Sequence, residues 1–424
     1  MIKNIELFSN KYLLKIFFLI SLFGLAWSSF LFKIGVVGLT LLFITGKNWN
    51  SKKRTLQSQN LAQIAFILFI IISFSTIYSG AQAEYTKNDI LRYVKLLFIW
   101  PFIYILRNER IRHLAILSFC LGIFTLMLPT LIDGIFRSTS INDFLIPIRN
   151  PAYSSQVSTT GTTNIVYWRN QLVHGIFVSS LCLIALAKFI YENKNKVLFF
   201  IIILICIIDI VFLIKARGAM LALVIGICWI CIESQKNNLR RFVTICLIAL
   251  TVIFIYIVVP NVEKRFDSSV TEFINYGADG DINSSVGHRI HYWKISFEMF
   301  MNSPILGSGA GGFRNALLMT KDPFFSEGHG HAHNEYITLI SQNGLIGFSL
   351  FVYLISATFK KSYQIKDRAE SAYMRVILLV FLVNCLTDSI LYNQIEGWIF
   401  VFFVALVASS EKISKTSDIG SIEK

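Results

Sequence analysis

Residues Val197 to Ile214 read VLFFIIILICIIDIVFLI, and Asp209 is the one charged side chain among them. Polar and apolar residues do not alternate here, as they would in a barrel strand. A run of this length reads as a helix crossing a membrane. Lipid offers no hydrogen bonds, and a helix satisfies its backbone groups internally. The whole chain agrees. It has 424 residues, 54% hydrophobic and 15% charged, with a mean hydropathy of +0.61. Soluble domains carry about 25% charged residues. The expected fold class is an all-α polytopic integral membrane protein.

Working outward, about twelve apolar spans are expected, near 12–32, 34–46, 61–78, 91–106, 114–133, 171–190, 197–214, 218–233, 242–259, 340–359, 373–391 and 395–410. Alternate loops are short and basic: Lys47, Lys52, Lys53 and Arg54; Arg107, Arg110 and Arg112; Lys194 and Lys196; Lys236, Arg240 and Arg241; Lys360, Lys361, Lys366 and Arg368. The positive-inside rule places these loops in the cytoplasm, with the N-terminus and the tail (Lys412, Lys415, Lys424). The remaining loops face outward. They are Ser79 to Asp89, Gly134 to Asn170, the hairpin Lys215-Ala216-Arg217, and a long segment from Pro260 to about Asn334. The chain then divides into N-terminal spans (1–259), an outward segment (260–339), and C-terminal spans with a cytoplasmic tail (340–424).

The basic loops account for the net charge of +14 without a nucleic-acid partner. The N-terminus MIKNIELFSNKYLLK looks like a signal peptide, but no small-residue cleavage site follows, so an uncleaved first helix is expected. All seven cysteines lie in apolar runs, which argues against a disulfide framework. Cys228 and Cys231, inside LALVIGICWICIE, read as small hydrophobes rather than a redox pair.

The outward segments hold the residues suited to chemistry. Arg217, in IKARGAML, sits at the outer interface, where it is either a snorkelling anchor or the holder of an anion. Gly218 beside it allows close backbone approach. Arg289 opens a helix with an apolar stripe at Ile290, Trp293, Ile295, Phe297 and Phe300, expected to lie on the outer leaflet and end at Asn302-Ser303-Pro304. A helix N-terminus and a guanidinium both suit phosphate. His329, His331 and His333 alternate in HGHAHNEYITLISQNGLIG. Few carboxylates and no cysteine lie near them, so a general base is preferred to a metal site. His333 is favoured, with Asn334 and Glu335 to orient it, while His329 and His331 read as loop residues. Asp388 falls at the outer end of its span as a partner for Arg217. Arg169 and Gln171 border the same cavity. Together these residues suggest that arginines hold a diphosphate while a histidine activates an attacking hydroxyl, with no metal required.

KARGAML in an outer hairpin, GHRIHYWK early in the long segment and HAHNEYITLISQNGLIG closing it resemble the O-antigen ligase and polymerase superfamily of bacterial membrane glycosyltransferases. The resemblance runs from about Asn170 to the C-terminus. It implies a GT-C-like enzyme of the bacterial inner membrane with its long loop and active site on the periplasmic side. The donor would be an undecaprenyl-diphosphate-linked glycan. For a ligase the acceptor would be lipid A-core; for a polymerase, another lipid-linked repeat. By motif position Arg217 and Arg289 would bind the diphosphate, His333 would be the base, and Asp388, Asn334 and Arg169 would line the substrate site. Inverting transfer without a metal or other cofactor is expected. A protein oligosaccharyltransferase or a lipid-linked sugar transporter is the further alternative. A transporter would place its charged residues at the bilayer midplane, not at one face.

Overall fold

A computed structural model describes residues 2–47, 49–135, 171–214, 216–279, 282, 284–320 and 330–410. Arg169, His329, Lys215 and most of the tail lie outside the described residues. Every described element is helical. In order they are α1 (Ile2–Trp27), α2 (Ser29–Thr45), α3 (Trp49–Ser58), α4 (Asn60–Phe74), α5 (Ala83–Tyr93), α6 (Ile99–Leu106) and α7 (Glu109–Ile135). Then come α8 (Gln171–Tyr191), α9 (Lys196–Ile208), α10 (Arg217–Ser234), α11 (Asn238–Val258) and α12 (Pro260–Asp279). The last are α13 (Ser285–Asn302), α14 (Gly312–Met319), α15 (Glu335–Ser362), α16 (Arg368–Asn384) and α17 (Gln394–Ser409).

Among the described residues, seven helices are long and apolar enough to cross a membrane: Asn60–Ile77, α7 over Glu109–Ile132, α8, Lys196–Leu213, α10, α11 and α15. The protein is therefore a multi-pass membrane protein. The expected span at 12–32 is interrupted, because Ser28 accepts from Leu31 N–H and caps α2. The one at 91–106 contains a 3-10 turn, Val94–Phe98, that leaves α6 only 8 residues long. The one at 373–391 stops as a helix at Asn384. The short apolar α17 is buried along almost its whole length. A helix that is hydrophobic all round belongs in a core. Phe400 stacks on Phe381 of α16 at 4.4 Å, and Phe402 and Phe403 meet Phe119 of α7. By contrast α11 has no buried residue and runs along the edge of the bundle.

The two ends of the bundle differ chemically. At one end Glu233, near the end of α10, accepts from Nε and Nη2 of Arg375 on α16. There Arg112 of α7 meets Glu370 at 3.2 Å, and Lys361 of α15 donates to Gln59 before α4 at 2.8 Å. At the other end lie the start of α10, the start of α15 and the connection from α16 to α17. This end gathers Arg217, His333 and Asp388.

Two devices build that second end. First, α9 runs on into a π-helical turn, Asp209–Leu213, just before Arg217. The fully buried Asp209 accepts from Thr130 of α7 and pairs with His174 of α8, each at 2.9 Å. Second, α15 breaks at Gly344, whose backbone is left-handed (φ 61°). A Cβ there would lie 2.2 Å from the Ile305 carbonyl oxygen. Gly344 thus admits the turn after α13 against the helix, and Gly309 N–H donates to the Gln342 carbonyl at 2.8 Å.

Candidate functional site

His333 stands just before α15 and is one of two non-glycine residues with positive φ among the described residues, at 50°. Such backbone is uncommon and persists where the surroundings over-determine it. They do so here. The Trp293 indole of α13 donates to the Ala332 carbonyl, and Ala332 N–H donates to Thr338, both at 3.1 Å. His333 N–H donates to His331 Nδ1 at 3.2 Å. Beyond it Asn334 caps α15 by accepting from Ile337 N–H, and its amide nitrogen donates to the Leu386 carbonyl. Both ends of the Asn334 side chain are therefore on backbone.

His333 Nδ1 lies 3.1 Å from Asp388 Oδ1. With Nδ1–H donating to the carboxylate, Nε2 carries the basic lone pair. Asp388 also accepts from Ser389 N–H at 2.8 Å and from Asn393 at 3.0 Å. Burial pushes its carboxyl up, but the hydrogen bond from His333, the charges of His331 and His333 and the Ser389 N–H outweigh this and lower it to about 2. It is thus ionised throughout the neutral range. The expected pairing of Asp388 with Arg217 gives way to this pairing with histidine. His331 is more than a loop residue, with its Nδ1 3.8 Å from the same carboxylate oxygen and its ring 4.6 Å from that of His333. The Tyr292 ring of α13 lies nearly parallel to His333, 5.9 Å away.

Glu335 does not orient the histidine. It is fully buried, and its carboxylate accepts from Leu391 N–H (2.8 Å), Tyr392 N–H (3.1 Å) and the Tyr93 hydroxyl (3.3 Å). It therefore holds the non-helical segment that carries Asp388 against the start of α15.

Arg217 opens α10. Its guanidinium donates to Ser268 at 3.0 Å and to Ser269, and lies 3.9 Å from Glu272, all three on α12. Gly218 does allow close approach, but to protein: a Cβ there would sit 2.8 Å from the Thr387 hydroxyl, next to Asp388. Arg289 lies on the second turn of α13, which Ser284 caps through Gly287 N–H. Its Nη1 donates to Ser285 at 3.1 Å, while its Nε is buried without a hydrogen-bond partner. Burial lowers its pKa, Asp388 and Glu272 raise it, and Arg217 lowers it further, which places the two arginines in one field with the Asp388 carboxylate.

The amphipathic surface helix is α12 rather than α13. Phe266, Val270, Phe273 and Ile274 are exposed along one side of α12, while Ser268, Ser269 and Glu272 face Arg217. On α13 the buried side is Tyr292, Ile295 and Met299, packed with Phe313, Leu317 and Ala332, and Phe297 is exposed.

His331, His333 and Asp388 offer three ligand atoms within 4.8 Å of one another. That spacing would suit a cation. However, His331 Nδ1 already accepts the His333 N–H, and His333 Nδ1 faces Asp388, so the donor set is engaged in hydrogen bonds.

The molecule is thus a multi-pass helical membrane protein with a histidine–aspartate pair and two arginines at one end of its bundle. Residues 201–352 match the family model described as O-antigen ligase, so over that segment the chain is similar to that family. The members of that family are glycosyltransferase-like ligases and polymerases. Arg217, Arg289 and His333 lie inside the matched segment, and Asp388 lies beyond it. The chain is also 26% identical over 182 residues to an uncharacterized protein of Haemophilus influenzae, which covers 41% of this chain and 45% of that relative. The match thus spans less than half of the relative's length.

Proposed function

We propose that the protein transfers a glycan from undecaprenyl diphosphate to a lipid A-core acceptor, as an O-antigen ligase at the periplasmic face of the inner membrane. The observation that carries this reading is the His333–Asp388 pair at 3.1 Å, with Arg217 beside Glu272, whose carboxylate also accepts from Val286 N–H at the start of the helix that carries Arg289. His333 Nε2 takes the proton of the acceptor hydroxyl. The freed oxygen attacks the anomeric carbon of the donor, and the bond from that carbon to the diphosphate oxygen breaks. Attack from the face opposite the leaving group inverts the anomeric centre. The two arginines stabilise the charge that develops on the departing undecaprenyl diphosphate. Asp388 keeps Nδ1 protonated and stabilises the imidazolium that forms.

Lipopolysaccharide gels from a strain lacking the gene test the acceptor. Bare core with accumulated lipid-linked polymer is the expected result. Core capped by one repeat would make the protein a polymerase, the second reading, because the same donor grip serves both reactions. An unchanged ladder would remove both.

The mechanism uses no metal, so transfer by purified protein is expected to survive EDTA with less than about a threefold loss, well inside the factor that one general base contributes. Inhibition reversed by zinc or magnesium would instead turn His331, His333 and Asp388 into ligands.

A further inference from the structure

Arg217 and Arg289 approach the His333–Asp388 pair from α10 and α13. A second pair of arginines stands on α5 and α14, and the reaction proposed above does not use it. Arg92 is on α5 and Arg314 on α14. The Arg92 guanidinium lies over the Tyr392 ring at 5.4 Å, and that ring is 5.0 Å from the imidazole of His331. The Arg314 guanidinium lies over the Tyr85 ring at 4.4 Å.

Both are half-buried, and among the described residues neither is in an ion pair or donates a hydrogen bond. Arg314 Nε is buried with no partner at all. The nearby carboxylate is Asp89, but its oxygens are occupied: Oδ1 accepts from the Tyr392 hydroxyl at 2.8 Å and Oδ2 from Gly311 N–H at 2.7 Å. The one carboxylate whose charge acts with Arg92 is therefore already engaged by other donors. Burial and Asp89 raise the Tyr392 phenol, and the charges of Arg92 and Arg314 both pull it back. A guanidinium lying on a ring engages its face and leaves its N–H edges open. Those edges match phosphate oxygens.

A transfer enzyme has two substrates, and the donor diphosphate is assigned to Arg217 and Arg289. We propose that Arg92 and Arg314 form an acceptor-side subsite that takes a phosphate group of the acceptor glycolipid and sets its hydroxyl toward His333. This rests on the glycosyltransferase reading. It adds a specificity: the acceptor is recognised by a phosphate and not by its sugars alone.

The test is binding, so it does not depend on turnover. Full-length protein in phosphatidylcholine nanodiscs would be titrated with lipid A-core, intact and after phosphatase treatment, and separately with undecaprenyl diphosphate. The wild-type protein is expected to bind intact acceptor at least tenfold tighter than dephosphorylated acceptor. The double variant Arg92→Gln, Arg314→Gln should lose that difference and keep its affinity for undecaprenyl diphosphate, which also reports that it is folded. The double Arg→Lys variant should retain part of the discrimination. The subsite is overturned by equal binding of both acceptors to the wild type, by no binding of either, by discrimination that persists in the Gln variant, or by a parallel fall in donor affinity. Repeating the titration in phosphatidylglycerol discs distinguishes the source of the phosphate. If bulk lipid abolishes the discrimination, the arginines hold ordinary phospholipid and the proposal fails. Normal transfer by a His333→Ala enzyme would undo the glycosyltransferase mechanism and leave these titrations unaffected.

Discussion

Replacing His333 with alanine is expected to lower transfer by about a hundredfold to ten-thousandfold, the range that a positioned general base contributes. Protein level and donor affinity should stay near normal. The expectation rests on Nδ1 being held by Asp388 at 3.1 Å, which leaves Nε2 as the base. One complication is geometric. His333 has φ 50°, and alanine in left-handed backbone costs about 1–2 kcal/mol. His333→Asn separates this cost from the chemistry, because asparagine tolerates that conformation but is no base at neutral pH. Both variants should be equally inactive, with the asparagine form closer to wild type in thermal stability. Asp388→Asn should follow in the same direction, because an amide no longer enforces the Nδ1–H tautomer. The measurement is transfer in detergent with purified donor and acceptor. Activity within about threefold of wild type in the asparagine form would remove the general-base role.

The second large effect is expected at the arginines. Arg217→Ala and Arg289→Ala should each cost about 10²–10³ in kcat, comparable to removing one donor that stabilises developing charge. Donor KM should rise in both. The two sites differ in how they respond to lysine. Arg217 is spread across Ser268 and Ser269, a forked contact that one ammonium does not reproduce. Arg217→Lys should therefore stay impaired. Arg289 is held through a single serine and has a buried, unpartnered Nε. That atom has lost water and gained no protein acceptor, which favours an anionic ligand. Arg289→Lys should recover more activity than Arg217→Lys. Steady-state kinetics over donor concentration decides it. If both alanine variants keep kcat and donor KM within threefold, the diphosphate lies elsewhere.

How much of this was legible in the sequence varies by residue. Arg217, Arg289, His333 and Asp388 stood out because charged and imidazole groups beside apolar runs need a reason to be there. What the sequence does not carry is pairing. Asp388 lies 55 positions from His333, and nothing local says that it meets the histidine and not Arg217. The grip on Arg217 was missed for a different reason. Ser268, Ser269 and Glu272 sit on a helix within the long outward segment, where the helical spacing of Phe266, Val270, Phe273 and Ile274 is the signal that marks it. His174 with Asp209 went unread as well. Each sits alone in an apolar run, and only the fold brings the two within 2.9 Å. Span boundaries are the least legible, because an apolar stretch does not reveal where a helix breaks, as at Ser28, Val94–Phe98 and Asn384.

The Glu335 carboxylate has a consequence for the timescale of motion. Leu391 and Tyr392 belong to no helix, yet their amide hydrogens end on a carboxylate with no exposure to solvent. An amide in an ordinary connection exchanges with water during brief local openings. Here, opening would have to strip a buried acid of two donors at once. In deuterium exchange on the intact protein, this connection should be protected like the interior of α17, far beyond the turns at the opposite end of the bundle. The segment that carries Asp388 then moves with the slowest part of the molecule, and any breathing that admits two lipid-linked substrates has to take place elsewhere.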